Sequence, residues 1–247
     1  MLLWLGSLVP PVSDWARRYE FVQALQYGLY AFWIPVLIVA GAPWRRMGLA
    51  SGESHVISDD GVLVAPVQPR LIDRIAFARG QVYGHRRTVA VTVVFMTFEI
   101  GWRVAPVVDY LVTHPWMTVL ESFTLVASGL WLFFELIESP PLVPGVTRVY
   151  RIGVAAAVMW VGWVMAYLDG MSRNSWYHGF RHVAGRGISL AADQQLTAGM
   201  IWLVSAVVFM PIVFWNLIHW LQSEEDPSDE LYRLVRREGT RGFFGTN

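Results

Sequence analysis

Apolar residues gather along this chain into five long runs, 21–41, 88–108, 117–137, 151–171 and 194–221, separated by polar or proline-containing joints. A run of about 20 such residues crosses a hydrocarbon core about 30 Å thick as a helix. The pattern therefore predicts an all-α integral membrane protein, a bundle of five transmembrane helices. A sixth stays open: "MLLWLGSLV" is apolar but too short to span, and Pro10-Pro11 stop it. Without a small-residue cleavage site it does not read as a signal peptide; a re-entrant stub or the remnant of a further helix fits it. Residues 1–221 are then one bundle with a long loop at 42–87, and 222–247 a tail.

The joints differ in kind. Within 42–87, "SHVISDDGVLVAP" alternates around Asp60-Gly61 as a hairpin would. After Pro69, "RLIDRIAFARGQVYGHRR" sets Leu71, Ile75, Ala78 and Val82 on one helical face and arginines on another, which fits a helix lying on a membrane surface. Such a segment serves either as a basic connector touching anionic lipid or as a docking site. "SPPLVPG" predicts a turn, and the tail a short amphipathic helix followed by a flexible end.

Composition supports the class. Of 247 residues 55% are hydrophobic and only 15% charged, against about 25% charged in ordinary soluble domains. With no cysteine, disulfides, thiolate metal sites and thiol nucleophiles are excluded. Net charge is zero, and all 19 basic residues are Arg. Seven lie in 42–87, two at 148–151 and four after 221, against two before 21 and three in 172–193. By the positive-inside rule the N-terminus is outside and the C-terminus in the cytoplasm. No basic stripe with interleaved aromatics suggests nucleic acid.

With that topology Gln23, Tyr27, Asp109, His114, Glu121, Trp176, His178, His182, Asp193, Gln194 and Gln195 fall at the outer helix ends. Ionisable groups at membrane depth are costly unless paired or functional. Asp109, His114, Glu121, Asp193 and Gln194 are thus expected to form an outer-face polar network. Glu99 and Arg103, four apart with the acid first, read as an intramembrane ion pair, structural or a proton step. His178 and His182 share a face if "WYHGFRH" is helical; with His114, Met117 and Met171 they are candidate Cu(I) ligands, although Arg181 disfavours a cation there. The inner half offers only Glu135 and His219 for a proton relay, and nothing resembles a transporter's broken helices or a Ser-His-Asp site.

Three segments in order carry a family resemblance. "VVDYLVTHPWMTVLES" resembles the part of the multi-spanning CtaG family of cytochrome c oxidase assembly factors with an Asp, a His-Pro, and a helix beginning His-x-x-Glu-His. "ARRYEFVQALQYGLYAFWIPVLIVAGAP" resembles that family's helix with paired His and a Gly-x-Pro turn, and "AADQQLTAGMIW" its entry to the last helix. The resemblance implies a helical bundle in a bacterial cytoplasmic membrane, serving maturation of a copper-containing oxidase, with a role near copper on the outer side. It implies His at positions where this chain has Gln23, Tyr27, Val104, Thr118 and Ser122, and amides and hydroxyls are poor copper ligands. Three readings follow: a non-catalytic assembly or stabilising factor for a copper–haem oxidase or related membrane redox complex; a permanent accessory subunit of a respiratory or photosynthetic complex; or a copper-handling protein. None is an enzyme. No cofactor is required, and whether lipid or pigment lies in the bundle is left open by the sequence.

Overall fold

The structure, a computed structural model, describes residues 2–49, 70–80, 84–172, 175–181 and 187–225. The hairpin expected around Asp60-Gly61, the residue His182 and the tail after 225 lie outside the described residues. Among the described residues the chain is helical, with no strand. Four segments are long and apolar enough to cross a membrane: Glu20–Arg46, Trp116–Leu136, Arg148–Met171 and Leu190–Gln222. Gly84–Gly101 and Ala105–Thr113 make a fifth if the bent pair is one span. The protein is thus the multi-pass helical bundle that the apolar runs predict. The candidate sixth helix, α1 (Leu2–Leu8), does not span. It docks on the first span instead, where the Gln26 amide donates to the Ser7 carbonyl at 2.6 Å and the Ser7 hydroxyl to Tyr30 at 3.0 Å. Then α2 (Val12–Arg18) leads into that span.

The first span is α3 (Glu20–Gly28), a π-turn (Leu29–Trp33) and α4 (Ile34–Gly41). Pro35 explains the π-turn: its ring has no N–H to give Ala31 and crowds that carbonyl, so the backbone widens by one residue. The Ala31 carbonyl faces the third span, α9 (Trp116–Leu136), at Gly129, where a Cβ would lie 2.7 Å from it and 2.7 Å from Pro35 Cγ. Only a glycine lets the two backbones approach this closely.

The second run departs from the expected straight helix. It is α7 (Gly84–Gly101) followed by α8 (Ala105–Thr113), turned by 65°. Pro106 sits in the first turn of α8, where a missing N–H costs nothing, but continuing the helix backwards would press its ring on the Trp102 carbonyl. Gly101 and the extended Val104 supply the break. The single straight span expected over 88–108 is corrected here to a bent pair.

The fourth span, α10 (Arg148–Met171), starts at Thr147, whose side chain accepts from the Tyr150 N–H, and packs most extensively against α11 (Leu190–Glu225). The centre is aromatic. Phe32, Phe95, Phe133 and Phe209 come from four spans and are buried, with Phe32 6.0 Å from Phe95 and 5.5 Å from Phe209, and Phe133 stacked on Phe209 at 5.7 Å.

Two short helices pack where α9 ends. These are α5 (Pro43–Arg46) and α6 (Leu71–Gly80); the segment after Pro69 is thus helical as expected, with Val82 outside the described residues. Glu135, almost fully buried, receives Arg79 at 2.6 Å, Arg87 at 2.7 Å and the Thr88 hydroxyl at 2.9 Å. Burial lowers the pKa of the Arg79 guanidinium from its usual value, and Glu135 opposes that shift. Glu135 therefore anchors α6 and α7 to the end of α9.

Candidate functional site

Away from Glu135, at the other end of the bundle, one buried polar chain crosses four elements. Glu121 lies on α9 about one turn from its start and is fully buried. Its Oε1 accepts from the Gln23 amide of α3 at 3.1 Å, and Gln23 Oε1 in turn accepts from Arg103 at 2.7 Å. Arg103 also donates to Asp169 of α10 at 3.2 Å and to the Tyr177 hydroxyl at 3.0 Å. With charged groups so deep, every donor–acceptor match replaces water that would otherwise be lost.

The break between α7 and α8 makes this arrangement. A helix running on from Glu99 would place Arg103 directly above it; because α7 stops at Gly101, Arg103 instead turns towards Gln23 and Asp169. The expected Glu99–Arg103 pair is therefore corrected to Asp169–Arg103. Backbone freed by the break is covered by two tyrosines. The Tyr27 hydroxyl donates to the Glu99 carbonyl at 3.0 Å, and the Tyr177 hydroxyl lies 3.2 Å from the Arg103 carbonyl and 3.3 Å from Asp169 Oδ1. Burial pushes the Tyr177 hydroxyl well above the usual phenol range, so it stays a neutral donor and acceptor. Both tyrosine rings also flank the Arg103 guanidinium, at 5.9 and 5.0 Å.

Glu99 is left differently. It is fully buried, and among the described residues neither carboxyl oxygen has a hydrogen-bond partner. Its Oε1 would be 3.6 Å from a Cβ at Gly162 on α10, close to Ser205 of α11. Glu121 Oε2 is likewise without a hydrogen-bond partner among the described residues.

The other expected network members have separate tasks. Asp193 accepts from the N–H groups of Glu20 at 2.9 Å and Phe21 at 3.0 Å, so a carboxylate of α11 caps the first turn of α3 across 172 residues of sequence or more. It satisfies donors that a helix start cannot satisfy itself and complements the helix dipole. Gln194 bridges the Asp169 carbonyl at 2.6 Å and the Trp176 N–H at 3.2 Å, which links it to the main chain of contacts. Asp109 accepts from the Gly179 N–H at 2.7 Å and holds the 3₁₀ turn His178–Phe180 against α8. Among the described residues His114 stands apart from the others: its ring stacks on Tyr110 at 3.8 Å and its Nδ1 meets Thr113 Oγ1 at 2.8 Å. The five expected residues thus fall into four groups, Glu121 with Gln194, and Asp193, Asp109 and His114 each apart.

Asp169 and Tyr177 are members of the buried polar chain that the sequence pattern does not mark. Asp169 lies inside the apolar run of α10, near its end, with no motif around it, and Tyr177 lies in a loop between histidines; an aspartate next to Gly170 near a span end is the available signal.

Positions where the family resemblance implies histidine do converge. Gln23 touches Glu121, and Thr118 and Ser122 are buried beside it on α9, whereas Val104 is 45% exposed. The donors there are an amide, hydroxyls and one carboxylate, with Ser122 donating to the Val119 carbonyl at 2.8 Å and Tyr27 to Glu99. That set does not suit copper, which favours imidazole, thiolate or thioether. Among the described residues no group of three or more His, Asp or Glu is placed to hold a metal ion. Of the candidate copper ligands, His178 is exposed, His114 is held by Tyr110 and Thr113, and His182 lies outside the described residues.

No curated protein and no solved structure matches the chain. The family model described as cytochrome c oxidase caa3 assembly factor matches residues 1–223, which takes in every described span and the whole polar chain from Gln23 to Gln194. A match of this extent, over a bundle whose buried residues lie where the sequence motifs pointed, makes the chain a member of the cytochrome c oxidase caa3 assembly factor family.

Proposed function

We propose that this protein acts without catalysis of its own, as a membrane factor that assembles or stabilises a copper–haem oxidase or a related membrane redox complex. The observation that carries the reading is the match to the oxidase assembly family over residues 1–223. The buried chain Glu121–Gln23–Arg103–Asp169 supports it, because its members brace α3, the joint between α7 and α8, α9 and α10 against one another, as a scaffold requires. Copper is not held in the manner the family resemblance implies, since Gln23, Thr118 and Ser122 stand where imidazoles would be. The protein sits in a bacterial cytoplasmic membrane with its N-terminus outside. Arginines at the Glu135 end, Arg45, Arg46, Arg74, Arg79 and Arg87, favour that end as the cytoplasmic one.

Purification from native membranes in mild detergent, with partners quantified against this chain, tests the role. Substoichiometric recovery with immature oxidase subunits is the expected result. A stable one-to-one association with a mature complex would make it a permanent subunit instead. The purified chain is expected to take up no stoichiometric Cu(I). Uptake abolished by His178→Ala with His182→Ala would establish copper handling and overturn that part of the reading.

A further inference from the structure

Helix α6 is docked on the bundle by one face and still carries apolar side chains on the other. Its inward face brings Ile72 and Ala76 against Trp44 and Leu142, and Arg79 against Glu135 and the Phe134 carbonyl. Turned away from the bundle are Leu71, 62% exposed, Ile75, 47%, and Phe77, 72%. A helix packed on a soluble surface shows charges there; α6 shows three large apolar residues and Arg74. The segment before residue 50 extends this face, because the Leu49 carbonyl accepts from the Ile72 N–H at 3.3 Å and the Gly48 carbonyl accepts from Arg70. Met47, 66% exposed, and Leu49, 40%, lie on this segment, and so do the exposed Arg45 and Arg46. Among the described residues, Arg45, Arg46 and Arg74 have no acidic partner.

The depth of α6 identifies its occupant. Glu135 and Phe134 are in the last turn of α9, one of the spans, so the anchor holds α6 level with the end of a membrane-crossing helix. At that level an apolar face meets acyl chains and a cationic rim meets phosphates. We propose that α6 and residues 43–49 form a lipid-binding platform: Leu71, Ile75, Phe77 and Met47 bed into the bilayer boundary, and Arg45, Arg46 and Arg74 gather anionic phospholipid headgroups.

The chain has no cysteine, so Phe77→Cys gives one labelling site on the full-length protein. An environment-sensitive fluorophore at that site, in nanodiscs of phosphatidylcholine with phosphatidylglycerol, is expected to shift to the blue and to be quenched by brominated lipid but not by aqueous iodide. Native mass spectrometry of the unlabelled protein is expected to show phosphatidylglycerol enriched over phosphatidylcholine. Replacing Arg45, Arg46 and Arg74 by Gln, all exposed and therefore tolerable to the fold, should reduce that enrichment by about fivefold for each arginine removed. Quenching by iodide in the nanodiscs would overturn the bedding of α6. Protection from iodide without quenching by brominated lipid would place a protein or another part of this chain over the face, and would overturn it equally. Unchanged enrichment in the arginine variant would overturn headgroup selection.

Discussion

Arg103 is the basic side chain of the buried polar chain among the described residues, and it joins three elements through Gln23, Asp169 and Tyr177. Removing one partner of a buried ion pair leaves the other charge uncompensated and typically costs about 3–5 kcal/mol. Arg103→Ala should therefore lower thermal stability in detergent severely, by stranding Asp169. Glu99 gives the contrast four residues away. Its oxygens have no hydrogen-bond partner among the described residues, so Glu99→Gln keeps the shape, removes an ionisable group and should leave stability unchanged or raise it. Thermal unfolding followed by size-exclusion fluorescence separates the two. Equal losses in both variants would mean that Glu99, not Asp169, supports Arg103.

At the scale of elements, proline and glycine decide how spans meet. Pro35 widens the first span and Gly129 admits the Ala31 carbonyl to α9. Gly129→Ala would set a Cβ 2.7 Å from both the Ala31 oxygen and Pro35 Cγ, so backbone must move. We expect a loss of about 1–3 kcal/mol, typical of overpacking a tight core. Gly153→Ala on α10, where a Cβ meets nothing within 4 Å, is the matched control and should be neutral. If both substitutions behave alike in thermal unfolding, the close approach of α4 and α9 does not limit stability.

For the whole molecule, the end of the bundle opposite Glu135 is closed by contacts far apart in sequence. Asp193 caps α3, and Asp109 ties the 3₁₀ turn to α8. Asp109→Ala leaves the Gly179 N–H without its acceptor and should reduce recovery of the oxidase complex from cells, whereas Asp109→Asn keeps an acceptor oxygen and should restore it. Glu121→Gln likewise keeps an oxygen for the Gln23 amide and should give yields near wild type, with Glu121→Ala lower. Quantitative haem spectroscopy of membranes reads both series. Full yield in both alanine variants would remove this end of the bundle from the assembly role.

Hydrophobic periodicity alone determined the class, the positions of the spans and the helix after Pro69, because a bilayer imposes length and apolarity on any segment that crosses it. Local chemistry also marked Glu121, Asp193 and Gln194 as residues needing partners. Which partners they have was decided by tertiary structure. Gln23 reaches Glu121 across 98 positions, and Asp193 reaches Glu20 across 173. Four-residue spacing pairs Glu99 with Arg103 only on an unbroken helix; Gly101 and Pro106 break it, and a 65° turn hands Arg103 to Asp169. Spacing along a chain reports the contacts of one unbroken helix. Buried charge must be satisfied by whatever the packing of several helices brings within hydrogen-bonding distance, and only the folded bundle fixes that.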